Sequence, residues 1–193
     1  MKNSLKIIIV VGVVVLLVIG LVVALNLTNK GESKSDFGQI TSAYDLTTLI
    51  EKIYAAQDEG TLPGVQTQEI DVTDKDMVKY ITGYDNNQDF EYVVVSEPLM
   101  SSQAYSFVLA KVKSGVDASA VAKNMLDNID IRKWICVSAE KVYATNSGDV
   151  VCLVMSNEKT AKSVYEEFKK VAGTVGKEYE RTEEAAELPE DMY

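Results

Sequence analysis

Residues 7–25 run through nineteen positions without a charge, interrupted only by the small residues Gly12, Gly20 and Ala24. As a helix this segment is ~28 Å long, close to the hydrocarbon thickness of a bilayer. A helix buried in a water-soluble core would show a polar stripe over five turns, and this one has none. The run therefore predicts a membrane-spanning helix, with the lipid bilayer as its partner through residues 7–25. A signal peptide shares the layout, since Lys2 and Lys6 precede the run. Its apolar region is usually about 7 to 15 residues, so the greater length here favours an uncleaved anchor, and the sequence leaves cleavage open. Lys2 and Lys6 before the run, against Lys30 and Lys34 offset by Glu32 and Asp36 after it, place the N-terminus in the cytoplasm. The expected layout is a cytoplasmic tail at 1–6, the span, a polar stalk at 26–36, and a single-pass cell-membrane protein with its domain outside at 37–176.

The remaining chain is the size of one ordinary domain and needs no staple to bury a core. Its surface is acidic: the formal net charge of the chain is −10. Clustered Lys and Arg are what phosphate backbones require, so nucleic acid is not an expected partner. Histidine is absent from the sequence. That removes Ser-His-Asp and Cys-His catalysis and most zinc or iron sites, so no cofactor and no metal are expected.

Apolar positions at helical spacing (Ile40, Tyr44, Leu46, Leu49, Ile50, Ile53, Tyr54) predict a first helix ending near Gly60. Thr73 opens a short second helix that faces inward with Met77, Val78 and Ile81 and is stopped by Gly83. Two β-branched and aromatic segments, 90–96 and 105–113, predict strands joined by a loop at 97–103. Asp117 caps a third helix, whose inner face is Val121, Ala122, Met125 and Ile129. Segments 141–145 and 150–155 flank Asn146-Ser147-Gly148-Asp149, a hairpin turn signal. Ser156 or Asn157 caps a last helix facing inward with Ala161, Val164, Tyr165, Phe168, Val171, Ala172 and Val175. The chain thus repeats a strand-turn-strand-helix unit twice. The expected fold class is α+β: the transmembrane helix, then a four-stranded antiparallel sheet with the helices packed on one face. Residues 177–193 hold seven acids against Lys177 and Arg181 and lack an apolar face, so they read as a solvated, disordered tail whose removal leaves stability unchanged.

Few residues suggest chemistry. With Ser147-Gly148 as the turn, Tyr143 faces Cys152, and Cys136 falls beyond the pairing on the other face; two unbridged, at least partly buried thiols are expected. Asp85-x-Asn87-x-Asp89 matches the start of a calcium loop, but Phe90 and Ser96 stand where Gly and Glu are needed, which leaves a capped turn. Ser101 and Ser102 have no lysine base assigned to them, and Trp134 with Ile135 reads as a binding platform or as core. The catalytic, cofactor and metal sets are therefore empty. One segment stands out: the 97–103 loop is longer than a hairpin needs and carries Pro98, Leu99 and Met100. Exposed, these form a partner contact; folded back over the sheet, they are core.

Within 94–155, the segments Ser96-Glu97-Pro98-Leu99-Met100-Ser101-Ser102, Lys111-Val112-Lys113, Asn128-Ile129-Asp130-Ile131-Arg132-Lys133-Trp134-Ile135-Cys136-Val137 and Gly148-Asp149-Val150-Val151 resemble a family of uncharacterised domains of membrane-anchored proteins and lipoproteins in Gram-positive bacteria. The resemblance implies a cell-envelope location and carries no assigned activity. The expected function is a non-enzymatic module binding a protein or envelope component. A small-molecule or peptide sensor, or a histidine-free hydrolase, are the alternatives.

Overall fold

Segments such as Val150–Ser156 carry apolar side chains on both parities, and a strand of that kind needs cover on both faces of its sheet. The computed structural model describes residues 38–100 and 102–183. It supplies that cover with two helical layers. In chain order the elements are α1 (Ala43–Ala55), β1 (Val65–Ile70), α2 (Lys75–Thr82), β2 (Phe90–Pro98), β3 (Ser106–Val112), α3 (Ala118–Asn128), β4 (Lys141–Ser147), β5 (Val150–Ser156), α4 (Glu158–Ala172) and β6 (Tyr179–Thr182). The strands form one sheet in the order β1-β2-β3-β5-β4-β6, and every neighbouring pair is antiparallel.

Pleating sends alternate residues to opposite faces. On one face Val93, Val95, Val108, Ala110, Leu153 and Met155 pack with Val78 and Ile81 of α2 and Val121, Ala122 and Met125 of α3. On the other, Val94, Phe107, Leu109, Cys152 and Val154 pack with Leu46, Ile50 and Ile53 of α1 and Val164 and Phe168 of α4. Caps set where the helices begin: Ser42 and Asp45 form a capping box on α1, and the side chains of Asp74, Asp117 and Asn157 accept backbone N–H bonds at α2, α3 and α4. Gly83 ends α2 in the left-handed region (φ 73°), and a Cβ there would lie 2.5 Å from the Ile129 nitrogen.

These findings correct the expected fold. The sheet has six strands rather than four, and helices lie on both faces rather than one. β1 (Val-Gln-Thr-Gln-Glu-Ile) escaped the sequence reading because an edge strand with a polar outer surface lacks apolar alternation. β6 escaped it because it is four residues within an acidic stretch. The two halves do not cover a common face: α3 follows β3 onto one, α4 follows β5 onto the other. The hairpin turn is Gly148-Asp149, with Ser147 opposite Val150, and Gly148 at φ 56° takes the first central position as a II′ turn requires. Thr145, not Tyr143, therefore faces Cys152. Among the described residues no helix is long and apolar enough to cross a membrane. The expected span at 7–25, its tail at 1–6 and its stalk at 26–36 lie outside the described residues. The fold class and the single-pass placement are corrected accordingly: the fold described is a helix-sheet-helix sandwich without a membrane-crossing element among these residues.

The domain also continues to 183, past the expected boundary at 176, while 184–193 lie outside the described residues. Arg181 on β6 reaches the end of α3. Its guanidinium donates to the carbonyl oxygens of Leu126 (2.8 Å), Asp127 (3.0 Å) and Ile129 (2.8 Å), carbonyls that the end of a helix leaves unsatisfied. Arg181→Ala should lower stability by about 2 kcal/mol, or roughly 5 °C in thermal midpoint. A midpoint within a degree of the parent would mean that β6 carries no stability.

Candidate functional site

At one end of the sheet, the close of β2, the start of β3 and the 129–140 segment before β4 converge on a lysine. The Lys133 side chain has no exposed surface, and its ammonium lies 2.5 Å from Oε1 of Glu97, whose side chain is 22% exposed. The same ammonium sits 5.1 Å from the centre of the Tyr80 ring on α2 and 5.5 Å from that of Trp134. It donates to the Ser106 hydroxyl at 3.3 Å, and the Tyr80 hydroxyl reaches the Lys133 carbonyl oxygen at 3.4 Å. Burial holds the amine below the ordinary lysine range, against the opposing pull of the Glu97 carboxylate. The pair ties the segment carrying Ile135 to the strand end carrying Leu99 and Met100, beside Tyr80.

Near this buried charge, with Asp130 and Arg132 also at the surface, stand four large exposed apolar side chains. Leu99 is 75% exposed, Ile135 69%, Met100 67% and Tyr80 49%. Pro98 is half-buried and closes β2 opposite Val65, so the three residues singled out by sequence divide: Pro98 belongs to the sheet, while Leu99 and Met100 project from it. Trp134 packs partly buried on the core, whereas Ile135 beside it faces solvent. Lys133, Glu97 and Tyr80 went unnoticed in the sequence. A lysine next to an arginine carries the signal of a solvated charge, and only the strand geometry buries it.

The Lys133–Ser106 contact invites comparison with a serine activated by a lysine. Here the lysine donates, its amine is engaged by a carboxylate, and the Ser106 side chain is wholly buried. A nucleophile needs an open approach, which the burial of Ser106 denies. Ser102 is exposed in the 97–103 loop, and Ser101 lies outside the described residues.

Other candidates are taken up elsewhere. Asp85 pairs with Lys79 at 2.7 Å, the Asn87 amide donates to the Val72 carbonyl oxygen, and Asp89 accepts the Tyr84 hydroxyl. Among the described residues no group of three or more acids or cysteines is placed to hold a metal ion. Both cysteines are free; Cys152 is buried, but Cys136 is exposed, correcting the expectation of partial burial. Cys136 sits at φ 62° in the loop before β4, a turn rather than the unbroken strand on which that expectation rested. An open cleft of about 420 Å³ lies between α4 and β6. Its Glu178 is taken by Lys169 (2.9 Å) and the Tyr165 hydroxyl (3.0 Å), and its Glu180 by Lys141 (3.0 Å). The Tyr143 and Tyr165 rings stack on each other and are almost fully buried, while Lys162 at the cleft is exposed.

Lys133→Met strips the Glu97 carboxylate of its cation. Breaking such a pair costs about 3–5 kcal/mol, and the partial exposure of Glu97 puts this case near 3. Lys133→Met/Glu97→Leu removes both charges and should recover most of that loss in urea unfolding. Equal losses in the single and double variants would show the two groups to be uncoupled. No family model, curated protein or solved structure matches this chain.

Proposed function

We propose that the domain is a non-enzymatic binding module that contacts another protein through the end of the sheet bearing Leu99, Met100, Ile135 and Tyr80. One observation carries the reading: four large apolar side chains stand exposed around a charge that is itself buried and paired. Scattered surface apolar residues are ordinary, but a group gathered at one loop-built end of a scaffold is the form that interaction sites take. Its arrangement resembles a binding hot spot, with apolar and aromatic anchors held in place by satisfied polar groups behind them. Kinship with the uncharacterised domains that residues 94–155 resemble belongs to the same proposal.

The Lys133–Glu97 pair acts as positioning structure in this reading. Its ammonium is inaccessible to a partner, yet the pair sets where the two apolar segments stand. A partner would gain from burying Leu99 and Ile135 without having to dry the Lys133 ammonium.

Replacing Leu99 and Met100 by Ser should abolish photo-crosslinking to the partner while the thermal midpoint stays within a degree or two, since both side chains are mostly in solvent. A midpoint several degrees lower would make them core residues. Unchanged crosslinking with unchanged stability would place the contact surface elsewhere.

A further inference from the structure

Each outer strand of the sheet leaves a row of backbone N–H and C=O groups without a strand partner, and such a row pairs with another chain unless something blunts it. At β6 it is blunted. That strand has four residues, and its two charged side chains are held within the chain, Glu180 by Lys141 and Arg181 by the end of α3. β1 lacks such protection. Its sequence, Val-Gln-Thr-Gln-Glu-Ile, contains no Pro, Lys or Arg. All six residues pair with β2 in unbroken register, without the bulge that would twist the edge away. Gln66, Gln68 and Glu69 are exposed, and Thr67 is half-buried.

We infer that β1 pairs with the β1 of a second copy, antiparallel about a two-fold axis, so that the two sheets become continuous. The strand's own sequence selects a copy of itself. A two-fold axis between antiparallel strands stands normal to the sheet and keeps each helical layer on its own side. The pairing centred on Thr67 then sets Thr67 against itself, Gln66 against Gln68 and Val65 against Glu69 of the second copy. Thr–Thr pairs are favourable across strands, and two glutamine amides can each donate and accept. No like charges face each other. Centring on Gln68 instead would make the two Glu69 residues diagonal neighbours, about 7–8 Å apart. Centred on Thr67, they stand about 14 Å apart. On its inner side Gln66 adjoins Glu97, which is already paired with Lys133. Asp58 and Glu59 before the strand, and Asp71, Asp74 and Asp76 after it with Lys75 among them, lie outside the paired residues 65–69. With a net charge of −10 on each chain, they make this an association that salt strengthens.

The test uses the full chain with Cys136→Ser, which removes the exposed thiol and leaves the buried Cys152. A mild detergent keeps the apolar run at 7–25 from self-associating. A short strand overlap is small beside a standard interface, so the chain is held at about 0.1 mM in about 0.3 M NaCl. On oxidation with diamide, Thr67→Cys should form a disulfide-linked dimer at least tenfold faster than Glu69→Cys, although residue 69 is the more exposed. Only the residue at the axis meets its own copy within the roughly 4.4–6.8 Å between Cα atoms that a disulfide spans. Without introduced cysteines, sedimentation should show a dimer. Gln66→Lys/Gln68→Lys sets Lys against Lys across the axis and should weaken it at least tenfold, whereas Gln66→Lys/Gln68→Glu sets Lys against Glu and should retain it. A monomer under these conditions overturns the inference, and so does equal crosslinking from both positions. A dimer indifferent to the charge pattern overturns it as well, because its contact lies away from β1. Leu99→Ser/Met100→Ser should leave the dimer intact, so this inference and the reading of the sheet end stand or fall separately.

Discussion

Every side chain of β5 is buried, and its neighbour β3 is buried at all but one position. Two adjacent strands without a solvent face leave the chain a narrow set of choices. Each face must receive a helical layer, and polar groups along the strands must find partners inside. The helices arrive in pairs, α2 with α3 and α1 with α4, and buried hydroxyls find partners inside. The Ser156 hydroxyl donates to the Ala104 carbonyl oxygen, and the hydroxyls of Tyr54 and Tyr105 meet at 2.8 Å. Burial of these strands supplies the main stabilisation, and it is why the edges can be short and polar without loss of the fold.

The two-sided burial also explains where the surface becomes unusual. Helices cover the middle of the sheet, but at the strand ends the chain must turn back, and there the segments 97–103 and 129–140 meet. Lys133 is drawn inside at this junction because its ammonium finds a carboxylate, a hydroxyl and two aromatic rings at once. A buried charge so surrounded is tolerated where a bare one is not. With the polar end of the lysine turned inward, the outward side of the junction is left to Leu99, Met100, Ile135 and Tyr80. The apolar surface and the buried ion pair are thus two sides of one packing solution.

Much of the interior was legible in the residues. Val121, Ala122 and Met125, and likewise Val164 and Phe168, sit on the inner faces that their helical spacing predicted. Asp117 caps the helix assigned to it, and strands at 90–98 and 106–112 match the β-branched runs. What escaped were elements whose own sequence carries little hydrophobic signal. β1 is held by six cross-strand pairings to β2, and β6 by its pairing with β4 and by the reach of Arg181 to α3. The site was legible only in part. Loop length and the Pro-Leu-Met run pointed to Leu99 and Met100, whereas nothing in Arg132-Lys133-Trp134 announces which of the two cations goes inside.

The sequence by itself determined the inner faces of α3 and α4, the caps Asp117 and Asn157, and the pairing direction of the two central hairpins. These are local properties: period, side-chain type and turn residues act over a few positions. The tertiary structure decided which face each helix covers, that two polar segments join the sheet as edges, and that Lys133 is buried against Glu97 rather than solvated. The edge pairings join residues 23 or more positions apart, and Lys133 lies 36 positions from Glu97, so no local pattern encodes which distant partner a strand edge or a single charge will meet.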